Sequence, residues 1–271
     1  MATHSTKGGA LRGKLAGVLV PFPTPFDAGG GVDGRAVRSN IERWNETGVR
    51  GYVVLGSTGE RAHLTERERA EVIESARAAV PDSMAFIVGV GGHGTRPTIE
   101  EARRAAAAGA DALLVITPHF YKSAMTQGAL AEHFEAVADF SPAPVILYSI
   151  PQNTGVALAP DTVARLAGHE NVAGIKDSSG DVVNLSETLR LTAGRDDFVV
   201  TTGHAGVFYP SLCAGVTGAI LAAACVAPRL CVALYEAHRA GEHARALDLQ
   251  WRLAPVAAAV TTRFGIGGLK Y

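Results

Sequence analysis

Eight short apolar runs, separated by helical patterns, constrain this chain more than any other feature. They are residues 17–22 (GVLVPF), 51–56 (GYVVLG), 84–90 (MAFIVGV), 111–117 (DALLVIT), 144–149 (PVILYS), 172–176 (VAGIK), 197–201 (DFVVT) and 216–221 (VTGAIL). The runs are continuously apolar rather than alternating, so both faces of each strand are buried, as in a parallel sheet covered by helices. Stretches such as 65–80 (TERERAEVIESARAAV) and 98–110 (TIEEARRAAAAGA) supply the crossovers. Eight strands with helices between them, and more helical sequence after residue 226, predict an α/β fold, a closed (β/α)8 TIM barrel with a C-terminal helical extension. An open doubly wound sheet is the alternative. The expected division is a barrel over 1–225, with residues 1–16 as a short leader, and C-terminal helices over 226–271 that stop abruptly at GIGGLKY, as if truncated.

Composition narrows the partners. With 25 Lys and Arg against 26 Asp and Glu the net charge is -1, which offers no basic face to nucleic acid or anionic lipid and points to a small-molecule partner. No stretch approaches the apolar length of a membrane span. Three cysteines without a CxxC pair argue against a disulfide framework and fit a reducing cytoplasm. Nine histidines without HExxH-like spacing give no reason to expect a metal.

A barrel places its chemistry where strands end. Strand 2 ends in GSTGE (56–60), strand 4 in TPHFYK (117–122), strand 5 in YSIPQNTG (148–155), strand 6 in Lys176 and strand 7 in TGHAG (202–206). A lysine closing an apolar strand must reach water, find a partner or lose its proton. The plain reading is that Lys176 snorkels outward and pairs with Asp177 or Asp181. Convergence with Tyr148, Ser57 and Thr58 at one mouth favours another, in which Lys176 is an amine nucleophile toward a carbonyl. Tyr148 is either a buried aromatic with a backbone partner or a proton relay beside that amine. In GSTGE the glycines allow hydroxyls and backbone N–H groups to point inward as a carboxylate cradle. Thr65 and Glu68 form a capping box for the next helix, leaving the hydroxyls of Ser57 and Thr58 free. Together these groups describe Schiff-base chemistry on a 2-oxo acid. GVGGHG (89–94) also satisfies G-x-G-x-x-G, but it lies in the third βα unit and its acid, Asp111, opens the next strand rather than closing it. A dinucleotide site is therefore disfavoured, and no cofactor is expected.

The segments GSTGE, LYSIPQNTG, GIKDSSGD and GVTGAI, in order and spacing, resemble the dihydrodipicolinate synthase/N-acetylneuraminate lyase superfamily from about residue 15 to 271. The resemblance implies pyruvate bound as a Schiff base to Lys176, Tyr148 as the relay, Ser57 and Thr58 on the pyruvate carboxylate, and the Ile220 backbone lining the pocket. It also implies a homotetramer, a dimer of dimers. SPAPVILYSIPQNTG, GIKDSSGD and VTTRFGIGGLK look most similar to 4-hydroxy-2-oxoglutarate aldolases, which adds Ser178 and Gly203 as substrate contacts. The expected activity is cleavage of a 4-hydroxy-2-oxo acid to pyruvate and an aldehyde, with glyoxylate favoured. The alternatives are 4-hydroxy-tetrahydrodipicolinate synthase, a sugar-acid aldolase or dehydratase, and a non-catalytic 2-oxo-acid-binding barrel. Dihydrodipicolinate synthases usually carry a carboxylate-gripping arginine where this chain has Asn153, and two acids where it has His204 and Ala205. Phe120 stands where the family usually places a second relay tyrosine, donated across the subunit interface, so either Tyr121 substitutes through a shifted turn, or a water does, or the activity has drifted.

Overall fold

The structure is a computed structural model that describes residues 11–271. Its strands are β1 (Val18–Val20), β2 (Gly51–Val54), β3 (Ala85–Val90), β4 (Ala112–Ile116), β5 (Val145–Ser149), β6 (Val172–Asp177), β7 (Val199–Thr202) and β8 (Gly218–Ile220). They pair in parallel and in sequence order, and β8 closes on β1, so the sheet is the predicted barrel rather than an open sheet.

Helical residues 11–15 (α1) precede β1. The crossovers are α2 (Gly34–Asn45), α3 (Glu66–Arg77), α4 (Thr95–Ala107), α5 (Gln127–Phe140), α6 (Pro151–Thr154) with α7 (Pro160–Leu166), α8 (Val182–Leu191) and α9 (Phe208–Ala214). After β8 come α10 (Pro228–Arg239), α11 (His243–Ala258) and α12 (Gly265–Lys270). Local chemistry sets their starts. Asp33, Thr65, Thr126 and Asp181 cap α2, α3, α5 and α8 with side-chain oxygens, and the Thr65–Glu68 capping box forms as expected. Helix α4 begins three residues before the expected 98, because Pro97 falls in its first turn, where no N–H is needed.

The apolar runs divide by alternation into two layers. One set of side chains, including Val20, Tyr52, Val88, Val115 and Leu147, packs against the helices. The other, with Leu19, Val53, Ile87, Leu114, Ile146 and Val199, fills the barrel, and Leu11 and Leu15 of α1 join it. Asp111 accepts hydrogen bonds from Lys14 Nζ and Phe86 N, both at 2.9 Å, at the start of β4. It serves the barrel floor, at the opposite end from the 89–94 loop. Among the described residues no helix is long and apolar enough to cross a membrane, and all three cysteines are free thiols.

Candidate active site

Lys176 lies on β6 in register with Tyr148 on β5 and Thr201 on β7. Side chains one apart on a strand face opposite ways, so Lys176 enters the barrel while Asp177 faces the helices. Lys176 is only 4% exposed, and its Nζ stands 4.4 Å from the centroid of the Tyr148 ring. Outward pairing fails on both counts. Asp177 Oδ1 accepts from Ser179 N and Oγ, and Asp181 is spent capping α8. Burial raises the Asp177 carboxyl above its ordinary value, against the hydrogen bonds from Ser179 and Asn184. Neither flanking acid neutralises the lysine.

Tyr148 is buried, and its hydroxyl lies 3.3 Å from Ser57 Oγ. Ser57 sits in a turn bounded by two non-glycine residues in the left-handed region, Leu55 at φ 57° and Glu60 at φ 56°. Such backbone is disfavoured for residues with a Cβ and persists only where surroundings hold it. Here the holders are Gly59 N to Gly56 O at 3.0 Å, Glu60 N to Ser57 O at 3.2 Å, and Thr24 Oγ1 to Gly59 O at 2.7 Å. Lys270 of α12 adds an ion pair to Glu60 at 2.5 Å. Among the described residues, the amides of Ser57 and Thr58 spend no hydrogen bond on the protein. The turn thus offers N–H groups and hydroxyls beside Tyr148.

Ser178 and Gly203 close the other side. Gly203 N donates to Asp177 O at 2.6 Å, and a Cβ on Gly203 would collide with Ser178 Oγ and come within 2.8 Å of Lys176 Cε. Only glycine leaves the lysine its place. Ile220 is buried inside the barrel in the same apolar cluster as Tyr148. The expected residues Lys176, Tyr148, Ser57, Ser178, Gly203 and Ile220 therefore share the inner end of the barrel, with Thr58 on the same turn as Ser57.

Asn153 is exposed, on the short helical turn α6 after β5, with its backbone N–H bonded to Ile150 O at 3.0 Å. Its neighbour Gln152 ties that turn to the one after β6, donating to Ser178 O at 2.9 Å and Ser179 O at 2.6 Å. Nothing local announces this brace, since a glutamine after Ile-Pro has no partner nearby in the chain. Phe120 and Tyr121 are 67% and 69% exposed and meet edge to face, with ring centroids 5.0 Å apart. A separate cavity of about 350 Å³ lies between α3 and α4, lined by Arg61, Ile73 and Glu101, outside the barrel.

The fold and the site define a closed (β/α)8 barrel that buries a lysine and a tyrosine side by side at its strand ends. The chain belongs to the dihydrodipicolinate synthetase family, whose model matches residues 14–271. It is therefore an enzyme of the lyase and aldolase kind that this family comprises. It is 39% identical over 246 residues to a 4-hydroxy-tetrahydrodipicolinate synthase of Methanothrix thermoacetophila, covering 90% of this chain and 81% of that protein. It is 38% identical over 256 residues to the synthase of Agrobacterium fabrum, covering 94% and 86%. Among solved structures, dihydrodipicolinate synthase from Acinetobacter baumannii complexed with pyruvate matches with a TM-score of 0.86 at 31% identity, over 91% of this chain and 83% of that one. YagE of E. coli K12, in complex with pyruvate, matches with 0.88 at 32%, over 94% and 86%. The relatives thus carry the synthase name, and the expected likeness to 4-hydroxy-2-oxoglutarate aldolases gives way to it.

Proposed function

We propose that this enzyme binds pyruvate as a Schiff base on Lys176 and joins it to an aldehyde, with aspartate semialdehyde as the acceptor, forming 4-hydroxy-tetrahydrodipicolinate. One observation carries the reading: a buried lysine that no flanking acid neutralises, packed on a tyrosine whose hydroxyl meets Ser57. The free amine of Lys176 adds to the 2-oxo carbon, and Tyr148 returns the proton that the carbinolamine needs to lose water. The open amides and hydroxyls of Ser57 and Thr58 hold the pyruvate carboxylate. The iminium draws electrons from C3, whose proton leaves to give an enamine. The enamine attacks the aldehyde carbon, whose oxygen takes up a proton, and the amino group of the semialdehyde then attacks the new iminium, so that the ring closes as a cyclic imine and the Lys176 amine leaves restored. The names of the relatives support this acceptor.

Asn153 favours a second reading, in which the bond is broken instead and a 4-hydroxy-2-oxo acid such as 4-hydroxy-2-oxoglutarate yields pyruvate and glyoxylate. An amide at that position grips a carboxylate less well than a bidentate guanidinium. Borohydride reduction in the presence of pyruvate is expected to add a pyruvyl mass to the peptide bearing Lys176, and Lys176→Ala to abolish both adduct and turnover. An unmodified lysine in the reduced enzyme defeats the proposal. Comparing kcat/KM for pyruvate with aspartate semialdehyde against pyruvate with glyoxylate separates the two acceptors.

A further inference from the structure

His204 is the first residue after Gly203, on the rim of the mouth, and its ring has a place made for it. A Cβ on Gly180 would stand 3.0 Å from its Cδ2, and a Cβ on Gly206 2.9 Å from its Cε1, so bare glycines flank the imidazole. Gly180 also takes φ +78°, a conformation open to glycine. The turn after His204 is held from α11. Buried Gln250 donates through Nε2 to Ala205 O at 3.0 Å and Gly206 O at 3.2 Å, and accepts from Tyr209 N at 2.8 Å. His204 N donates to Thr202 Oγ1 at 3.3 Å.

The fixed ring is unspent. Its Nδ1 is buried without a partner among the described residues, and Nε2 makes no hydrogen bond there yet is not sealed from solvent. With no acceptor facing Nδ1, the hydrogen belongs on Nε2, which then points a donor outward from a rigid mount. The adjoining Gly203 lies so near Lys176 Cε and Ser178 that a Cβ there would collide with both, which places His204 one residue along the chain from the lysine's surroundings. Where the family resemblance leads one to expect two acids, suited to an ammonium, the chain has an imidazole and Ala205.

We propose that His204 is a specificity-determining residue whose Nε2–H holds the carboxylate of the acceptor aldehyde. This rests on the Schiff-base reading and adds to it the residue that recognises the second substrate. The donor selects an aldehyde carrying an anionic oxygen over one of similar length with an alkyl tail. The other candidate for that task is Lys122, whose Nζ stands 3.0 Å from the position of a Gly155 Cβ, across the turn that carries Asn153.

The test compares His204→Leu, His204→Asn and Lys122→Met with the unmodified enzyme, using aspartate semialdehyde, glyoxylate and propionaldehyde as acceptors. His204→Leu is expected to raise KM for the carboxylate-bearing acceptor that the enzyme uses by about 10–100-fold, the loss of one hydrogen bond to a charged group. The KM for pyruvate, the borohydride adduct and any turnover of propionaldehyde are expected to stay within about threefold. His204→Asn, which keeps an N–H donor, is expected to recover part of the loss. An unchanged acceptor KM in His204→Leu with a normal adduct overturns the assignment, as does a rise confined to Lys122→Met. Absence of the adduct in the unmodified enzyme instead defeats the Schiff-base reading, and this inference with it.

Discussion

Two glycine-rich loops leave neighbouring strands of this barrel, and they spend their backbone groups differently. In the 89–94 loop, Gly91 N donates to Glu101 Oε2 at 2.9 Å and Gly91 O accepts from Arg61, which pairs with Glu101 at 2.6 Å. In the 56–60 turn the amides of Ser57 and Thr58 make no hydrogen bond among the described residues. Both loops have the glycines of an anion cradle, but the first already holds a carboxylate of the chain itself, Glu101 on Gly91 N, and the second keeps its donors beside Tyr148. A glycine motif is a binding site only where folding leaves its donors unpaired. The first loop supports the second. A Cβ on Gly89 would collide with Leu55 O, so that glycine lets β3 pass beneath the strained Leu55–Gly56 turn.

The sharpest way to break this contrast is to empty the carboxylate that fills the first loop. Glu101→Ala leaves Arg61 and Arg69 without their shared acid, and is expected to lower unfolding free energy by on the order of 3–5 kcal/mol. Urea titration reads that loss, and the KM for pyruvate is expected to hold within about threefold. A large rise in that KM with little destabilisation would make the 89–94 loop the binding element.

The helix that starts just after this loop gives the next effect. His133 is buried against Thr95, Nδ1 to Oγ1 at 2.9 Å, and burial lowers its pKa from 6.5 to about 4. The folded state therefore favours the neutral ring, while the unfolded chain takes up the proton first. Stability from this group is complete above pH 6.5 and is lost as pH falls toward 4, by roughly 3 kcal/mol. His133→Gln is expected to flatten that stretch of the stability profile. An unaltered profile would show that another group sets the acid limit.

The smallest effect falls on the second loop. Ser57→Ala removes one hydroxyl from the cradle and from Tyr148, and is expected to raise the KM for pyruvate about tenfold, near 1.4 kcal/mol. The fold is expected to keep its Tm, since the other holders of the turn remain. A lower Tm with unchanged KM would make Ser57 a prop for the turn rather than a ligand.

Much of this was readable in advance, for local reasons. Continuous apolar runs announced strands buried on both faces, and Thr65 with Glu68 announced the start of α3, because burial pattern and capping act over a few residues. Lys176 and Tyr148 stood out because each ends an apolar run. The braces made by Gln152 and Gln250 did not, nor did the clearance that Gly203 leaves for Lys176, since each depends on atoms far away in the chain.

The sequence by itself determined eight strands buried on both faces and which residues end them, while the pairing of β8 with β1 that closes the ring came from the tertiary structure. Only the tertiary structure decided that Tyr148 and Lys176 share a register, that Asp177 turns away, that Ser57 reaches the phenol and that Asn153 stays on an exposed turn. The register of parallel strands is fixed by packing across the whole barrel, and no short stretch of sequence contains that information.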